Sequence, residues 1–206
     1  ELKVYERALA QRNRAMPLVD VKALREELLS LSWVQDARVS RQLPDTLVID
    51  IVERRPHAVL RKAGRFVLID DSGRELEPIS AARAKGKLML SGPGAGKQVE
   101  ALSALIDAAP ALRPQLREAQ WVGNRRWNFT FKTGQVLALP EGKDQSAKAL
   151  MNFARLDGTN RLLGGRVAAF DMRSPDRIYL RVPGRAAEEE QSMLVKPGAH
   201  AKGEAN

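Results

Sequence analysis

The stretch Trp33–Pro56 constrains this chain more than any other, because two runs of alternating residues flank a Pro44–Asp45 break. Proline presets the φ needed at the first central position of a type I or II turn, and aspartate favours turns through local hydrogen bonds. Before the break, Trp33, Gln35, Ala37 and Val39 fall on one side of an extended strand and Asp36, Arg38 and Ser40 on the other. After it, Leu47, Ile49 and Ile51 share one face. The period of two predicts a β-hairpin with a single buried side. Upstream, Asp20 stands where an N-cap belongs, and Leu24, Leu28 and Leu31 follow at helical spacing. They predict an amphipathic helix of about three turns. Val4–Ala10 is helix-compatible, and Pro17 ends the loop after it.

Past Pro56 the pattern becomes short strands and tight turns, interrupted twice by helices. Ala58–Arg61 and Phe66–Ile69 read as strands about an Ala63-Gly64 turn, with Asp71-Ser72-Gly73 turning next. Leu88–Leu90 is a further apolar run. Val99, Leu102, Leu105, Ile106 and Ala109 then form a helical stripe ended by Pro110. Trp121–Val122, the alternating Trp127, Phe129 and Phe131, and Val136–Leu139 beyond Thr133-Gly134 read as strands. A second helix over Ser146–Leu156 carries Leu150 and Phe153 inward, and a last hairpin joins Val167–Arg173 to Arg177–Val182 through Ser174-Pro175-Asp176.

With 206 residues and 44% hydrophobic content the chain has material for one or two packed cores. It has no cysteine, which removes thiol catalysis and thiolate metal sites, and no apolar run near the ~20 residues of a membrane-spanning helix. It opens on Glu1 without a signal peptide, as a piece of a longer protein would. The formal charge is +9; the tail from Arg185 is slightly acidic, so the body carries about +10. Such a field attracts nucleic acid, anionic lipid or an acidic protein without choosing among them.

Several motifs carry less chemistry than they suggest. Gly92-Pro93-Gly94-Ala95-Gly96-Lys97 has Ser91 where a phosphate-binding loop needs its first glycine, and Gln98 where it needs Ser or Thr, so a glycine-rich helix entry is expected. His57 and His200 are the only histidines, one of them in the tail, which leaves no basis for a histidine triad or histidine-rich metal site. The neighbours Asp70-Asp71 and Glu26-Glu27 point in different directions and are expected to be solvated. Glu53 and Arg54 are expected to form a local ion pair. Trp127, Phe129 and Phe131 beside Arg125 and Arg126 could form a base-stacking platform for single-stranded nucleic acid. Their alternation on one face favours the core instead. No catalytic residue, cofactor or metal is expected.

The wording W-V-x-x-A-x-V-x-R-x-L-P-D-T-L-x-I-x-I-x-E-R-x-P over Trp33–Pro56 resembles the end of the POTRA domain in the FtsQ/DivIB family of bitopic bacterial cell-division proteins. The resemblance continues through Leu68-Ile69-Asp70 with Gly73, Gly92-Pro93, Arg125-Arg126-Trp127 and Phe170-Asp171-Met172-Arg173, and covers about residues 5–182. It implies an α+β protein: a POTRA domain lacking its first strand over residues 1–56, a mainly antiparallel β domain with two helices over 57–184, and a disordered tail over 185–206. It further implies a preceding cytoplasmic tail, a single transmembrane helix and that first strand. This part would then lie in the periplasm, attached to the inner membrane at the division septum. Only one POTRA unit is present, unlike tandem outer-membrane assembly proteins.

The final hairpin is where a binding site is expected. A last strand followed by polar sequence is often left at a sheet edge, where an extended peptide can add by backbone hydrogen bonding. Arg177 and Arg181 could instead serve only to blunt that edge. The resemblance implies that these strands capture the periplasmic segment of FtsB, itself associated with FtsL, with FtsK, FtsW and FtsI as further candidate partners of a non-enzymatic scaffold. It makes Arg173 an ion-pair partner for an acidic residue of that segment and Arg125 a second contact. Tyr179 takes the place of a tryptophan found nearby in some relatives. The expected contact set is Arg125, Arg173, Ser174, Arg177, Ile178, Tyr179, Leu180, Arg181 and Val182. A basic single-stranded nucleic-acid module is the alternative.

Overall fold

The computed structural model describes residues 2–9, 18–174 and 177–183. Pro17, Pro175, Asp176, His200 and the whole tail 185–206, about which the sequence raised expectations, lie outside them. The first unit is a helix pair over a two-stranded sheet: α1 (Leu2–Leu9), α2 (Val21–Ser30), β1 (Val34–Gln42) and β2 (Thr46–Glu53). Asp20 caps α2 as expected, its carboxylate accepting from the Lys22 and Ala23 amides at 2.9 and 3.0 Å. Leu24 and Leu28 turn inward onto Val34 and Ala37, with Val39, Leu47, Ile49 and Ile51 packed around them. The strands pair antiparallel, and the peptide bond at Leu43–Pro44 is cis.

The faces of β1 depart from simple alternation. A register shift between Val34 and Asp36 inserts an extra residue, so the simple alternation breaks. Val34, not Trp33, joins Ala37 in the core of the first unit, and Gln35 is exposed. Trp33 is released to the other side, where it packs on the second unit. A bulge cannot be read from a pattern of two alone.

The second unit is one nine-stranded sheet. Its elements are β3 (Ala58–Lys62), β4 (Arg65–Ile69), β5 (Glu75–Ile79), α3 (Ala81–Ala84), β6 (Met89–Ser91), α4 (Val99–Asp107), β7 (Leu116–Val122), β8 (Arg126–Phe131), β9 (Val136–Glu141), α5 (Lys143–Asn160), β10 (Ala169–Asp171) and β11 (Tyr179–Arg181). The strand order is β11-β10-β9-β8-β7-β6-β3-β4-β5. Five neighbour pairs are antiparallel, while β3·β6, β6·β7 and β9·β10 are parallel. Parallel neighbours need long crossovers, usually helical. Both helices read from the sequence serve as crossovers, α4 between β6 and β7 and α5 between β9 and β10. The fold is α+β with a mixed sheet.

Alternation along the strands sorts side chains to two faces. On one, Leu60, Leu90, Ala119, Trp127, Phe129, Phe131, Leu137, Leu139 and Phe170 pack under α4 and α5. Phe153 of α5 stacks on Phe131 at 5.5 Å and meets Phe170 edge-on at 5.0 Å. A fully buried side chain of this size contributes about 1.5–3 kcal/mol, so these rings anchor β10 to the sheet. On the other face Val59, Leu68, Leu76 and Ala84 form a smaller cluster covered by Trp33. Toward β9, β10 and β11 that second face is only partly covered: Asn128, Val136 and Ala138 remain half-buried.

Candidate partner-binding edge

The glycine-rich loop is accounted for by packing. A Cβ on Gly92 would sit 2.1 Å from the Trp121 carbonyl oxygen, and one on Gly73 2.1 Å from that of Gly96. Both glycines have positive φ, +103° and +84°. They let three loops nest backbone to backbone, which is why glycine is required there. His57 Nε2 lies 2.9 Å from Ser103 Oγ, and the same hydroxyl has the Val99 carbonyl oxygen as a second partner at 3.0 Å. No group of three metal-ligating side chains occurs among the described residues.

At the junction of the two units the expected Glu53–Arg54 pair does not form. Arg54 reaches across to Asp70 instead, Nη1 to Oδ2 at 2.7 Å, while its Nε donates to the Val34 carbonyl at 3.1 Å. Asp70 is not solvated: it is 1% exposed. Burial alone would raise its pKa. Hydrogen bonds from the Ser72 hydroxyl, Arg54 and the Arg74 amide outweigh that, holding it below the usual carboxylate range. Asp71, like Glu26 and Glu27, follows the expectation of a solvated charge.

The remaining chemistry gathers at the far end of the sheet. β11 pairs with β10 in the register Ala169↔Arg181, Phe170↔Leu180, Asp171↔Tyr179, and among the described residues has no neighbour on its other side. Ile178, Tyr179, Leu180 and Val182 are 39%, 52%, 55% and 38% exposed, an apolar stretch interrupted only by Arg181. Arg177 and Arg181 are exposed beside it, and the Ser174 carbonyl accepts from the Arg177 amide at 3.3 Å. Arg173 folds back on Asp171, Nε to both carboxylate oxygens at 2.9 Å and Nη2 to Oδ2 at 2.6 Å. The Arg173 side chain and then its amide outweigh partial burial and hold Asp171 below the usual range, with Arg126 adding to the effect.

Arg173, Tyr179 and Arg181 line a groove of about 410 Å³ on the open face together with Arg126, Asn128 and Ala138. Arg125 is placed elsewhere, on the β7–β8 turn, where it pairs with Glu141 at 3.0 Å and faces Trp121 and Lys143. Trp127, Phe129 and Phe131 are at most 4% exposed, which removes the stacking platform a nucleic-acid module would need.

Residues 1–54 match the family model for the POTRA domain, FtsQ-type, and residues 58–173 the model for the C-terminal region of cell division protein FtsQ/DivIB. The chain belongs to the FtsQ/DivIB family of cell division proteins. It is 66% identical to cell division protein FtsQ of Novosphingobium aromaticivorans over 98% of its own length and 66% of the relative's. With FtsQ of Zymomonas mobilis it shares 40% over 94% of this chain and 60% of the relative, and with FtsQ of Caulobacter vibrioides 32% over 91% and 62%. The chain thus spans somewhat less than two thirds of these relatives. Among the described residues, no helix is long and apolar enough to cross a membrane.

Two contributors to this FtsQ/DivIB edge escaped the sequence reading. Arg126 was visible in principle: if Trp127, Phe129 and Phe131 face the core, then Arg126 and Asn128 must face the opposite side. The Asp171–Arg173 pair was visible too, since residues two apart in the expected Val167–Arg173 strand share a face.

Proposed function

We propose that this chain is the part of a non-enzymatic division scaffold that captures an extended, acidic segment of a partner by strand addition to β11. The observation that carries this reading is an edge strand, the last among the described residues, on which and beside which four large apolar side chains, Ile178, Tyr179, Leu180 and Val182, are exposed. Strand addition would satisfy its free backbone groups and cover those side chains in one step. Three arginines, Arg173, Arg177 and Arg181, surround the strand. A second copy of the same strand would bring like charges together, whereas an acidic segment would be steered in by them. In an FtsQ/DivIB protein that segment is FtsB, associated with FtsL, which would make the edge a link between early and late division proteins. The first unit, with FtsK, FtsW and FtsI as candidate partners, would complete the link. An N-terminal helix would hold the assembly to the inner membrane, with this region in the periplasm at the septum.

Within this reading Arg173 and Arg126 are the cations placed to meet a partner carboxylate, and Tyr179 is the aromatic contact. The test is calorimetric titration with a synthetic acidic FtsB-like peptide. Arg173→Glu is expected to weaken binding at least about tenfold, since it places like charges opposite one another, and Tyr179→Ala to weaken it as well. Single-stranded DNA is expected to bind only weakly. Tight, salt-sensitive DNA binding without peptide binding would overturn the proposal.

A further inference from the structure

The hairpin that carries the proposed binding edge is small. β10 and β11 contribute three residues each, and β10 joins the sheet only through its parallel contact with β9. Something must set the path of the connector that leads from α5 into it. Gln135, at the entry to β9, is 4% exposed and uses its whole amide for this. Its Nε2 donates to the Leu162 carbonyl at 3.0 Å and the Val167 carbonyl at 2.7 Å. Its Oε1 accepts from the Gly164 amide at 2.7 Å and from the Thr133 hydroxyl at 2.8 Å.

Three of those four bonds go to backbone groups of the connector, spread over six consecutive residues. The last is to Val167. The next residue, Ala168, hydrogen-bonds on both sides: its amide donates to the Arg181 carbonyl of β11 at 2.8 Å, and its carbonyl accepts from the Val136 amide of β9 at 3.1 Å. One residue therefore separates the Gln135 amide from the edge strand. Asp157 adds a single further tie, accepting from the Leu163 amide at 2.8 Å.

We infer that Gln135 is a positioning residue for the binding edge: it fixes the connector so that β10 docks in register and presents β11 for strand addition. The inference rests on the proposed role of β11 for its functional consequence, but not for its structural one. A buried amide with every donor and acceptor satisfied cannot be replaced without leaving connector carbonyls or the Gly164 amide unpaired.

The experiment combines residue-resolved hydrogen exchange with titration of the acidic peptide, on the wild-type chain and on Gln135→Ala and Gln135→Glu. The glutamate keeps both acceptor contacts and loses both donations. Both variants are expected to speed exchange at Ala168 and Tyr179–Arg181 about tenfold or more, as one unsatisfied buried hydrogen bond would. Amides of β7 and α4 should keep their protection, and peptide affinity should fall in parallel with the exchange at β11. Protection lost evenly across the sheet, or hairpin exchange unchanged, would overturn the inference. If Gln135→Ala does not fold, Asp157→Ala is expected to give the same local pattern in milder form, and its absence there would count equally against it. Should the wild-type chain bind no peptide, the strand-addition reading fails while the exchange result still decides the role of Gln135.

Discussion

The two edges of the nine-stranded sheet are treated in opposite ways. β5 holds Pro78, which has no amide to offer, and two carboxylates engaged in ion pairs, Glu75 with Lys62 at 3.0 Å and Glu77 with Arg83 at 2.9 Å. A register shift distorts its pairing with β4, and α3 follows directly. These are the ordinary means by which proteins keep an edge from pairing with another chain. β11 has no proline within it and presents tyrosine and leucine where β5 presents charge. Each edge also lies near an aspartate–arginine pair. Arg54–Asp70 is almost dry, with side chains 14% and 2% exposed; Asp171–Arg173 is wet, at 30% and 56% for aspartate and arginine. Among the described residues, one edge is blocked and the other is not.

The largest difference between the ends should appear when the two arginines are removed. Arg54→Ala would leave Asp70 charged and buried with only Ser72 and the Arg74 amide to satisfy it. Breaking such a pair costs about 3–5 kcal/mol, enough to lower the urea midpoint markedly or to separate the unfolding of the two units. Arg173→Ala, by contrast, should change stability by no more than about 1 kcal/mol, as exposed pairs do, while weakening peptide binding. Equal effects of the two substitutions on the urea midpoint would erase the distinction between a structural pair and an exchangeable one.

Acid sharpens the same contrast. Asp70 has a folded pKa below its ordinary 3.8, so its contribution to stability is fully present above that value and is lost as pH falls through the lower folded value. Wild-type stability should therefore show no Asp70 contribution to its pH dependence between neutrality and about pH 5, and should decline below pH 4. Asp70→Asn would be less stable at neutral pH and show a shallower acid decline. Asp171 is shifted in the same direction, but it is partly solvated, and Asp171→Asn should track the wild-type curve far more closely. The measurement is the urea midpoint across pH 2–7.

Much of this architecture was legible in the sequence because its signals are local. The Asp20 cap, the helical stripe from Val99, the Trp127–Phe131 alternation and the final hairpin each declare themselves within a few residues. What stayed hidden involves partners far apart in the chain. Arg54 and Asp70 are separated by a strand pair, and Gln135 and Val167 by a whole helix, and a polar residue bound for burial looks in sequence like any other polar residue. The bulge that sends Trp33 to the second unit is a geometric choice made by packing, since both Trp33 and Val34 are suited to a core. At the candidate site the edge position of the last strand could be foreseen, but that Arg126 and not Arg125 lines the groove depends on strand register.

The smallest expected effect concerns the blocked edge. If Pro78 and its charged neighbours protect β5, then opening that edge should make it resemble β11 without disturbing the core. Pro78→Val restores an amide on a strand whose partner side is already occupied by β4, and Glu77→Val removes one charge and its ion pair with Arg83. Exposed pairs of this kind contribute about 0–1 kcal/mol, and valine is a better strand former than proline, so stability should stay within about 1 kcal/mol of wild type. The change should appear in association instead. Sedimentation velocity of the double variant is expected to show concentration-dependent self-association at micromolar protein, while the corresponding single change Lys62→Ala leaves the chain as it was. A double variant that behaves like the wild type would mean that β5 is kept from pairing by α3 and the strand distortion alone, and that proline and charge contribute nothing to the contrast between the two edges.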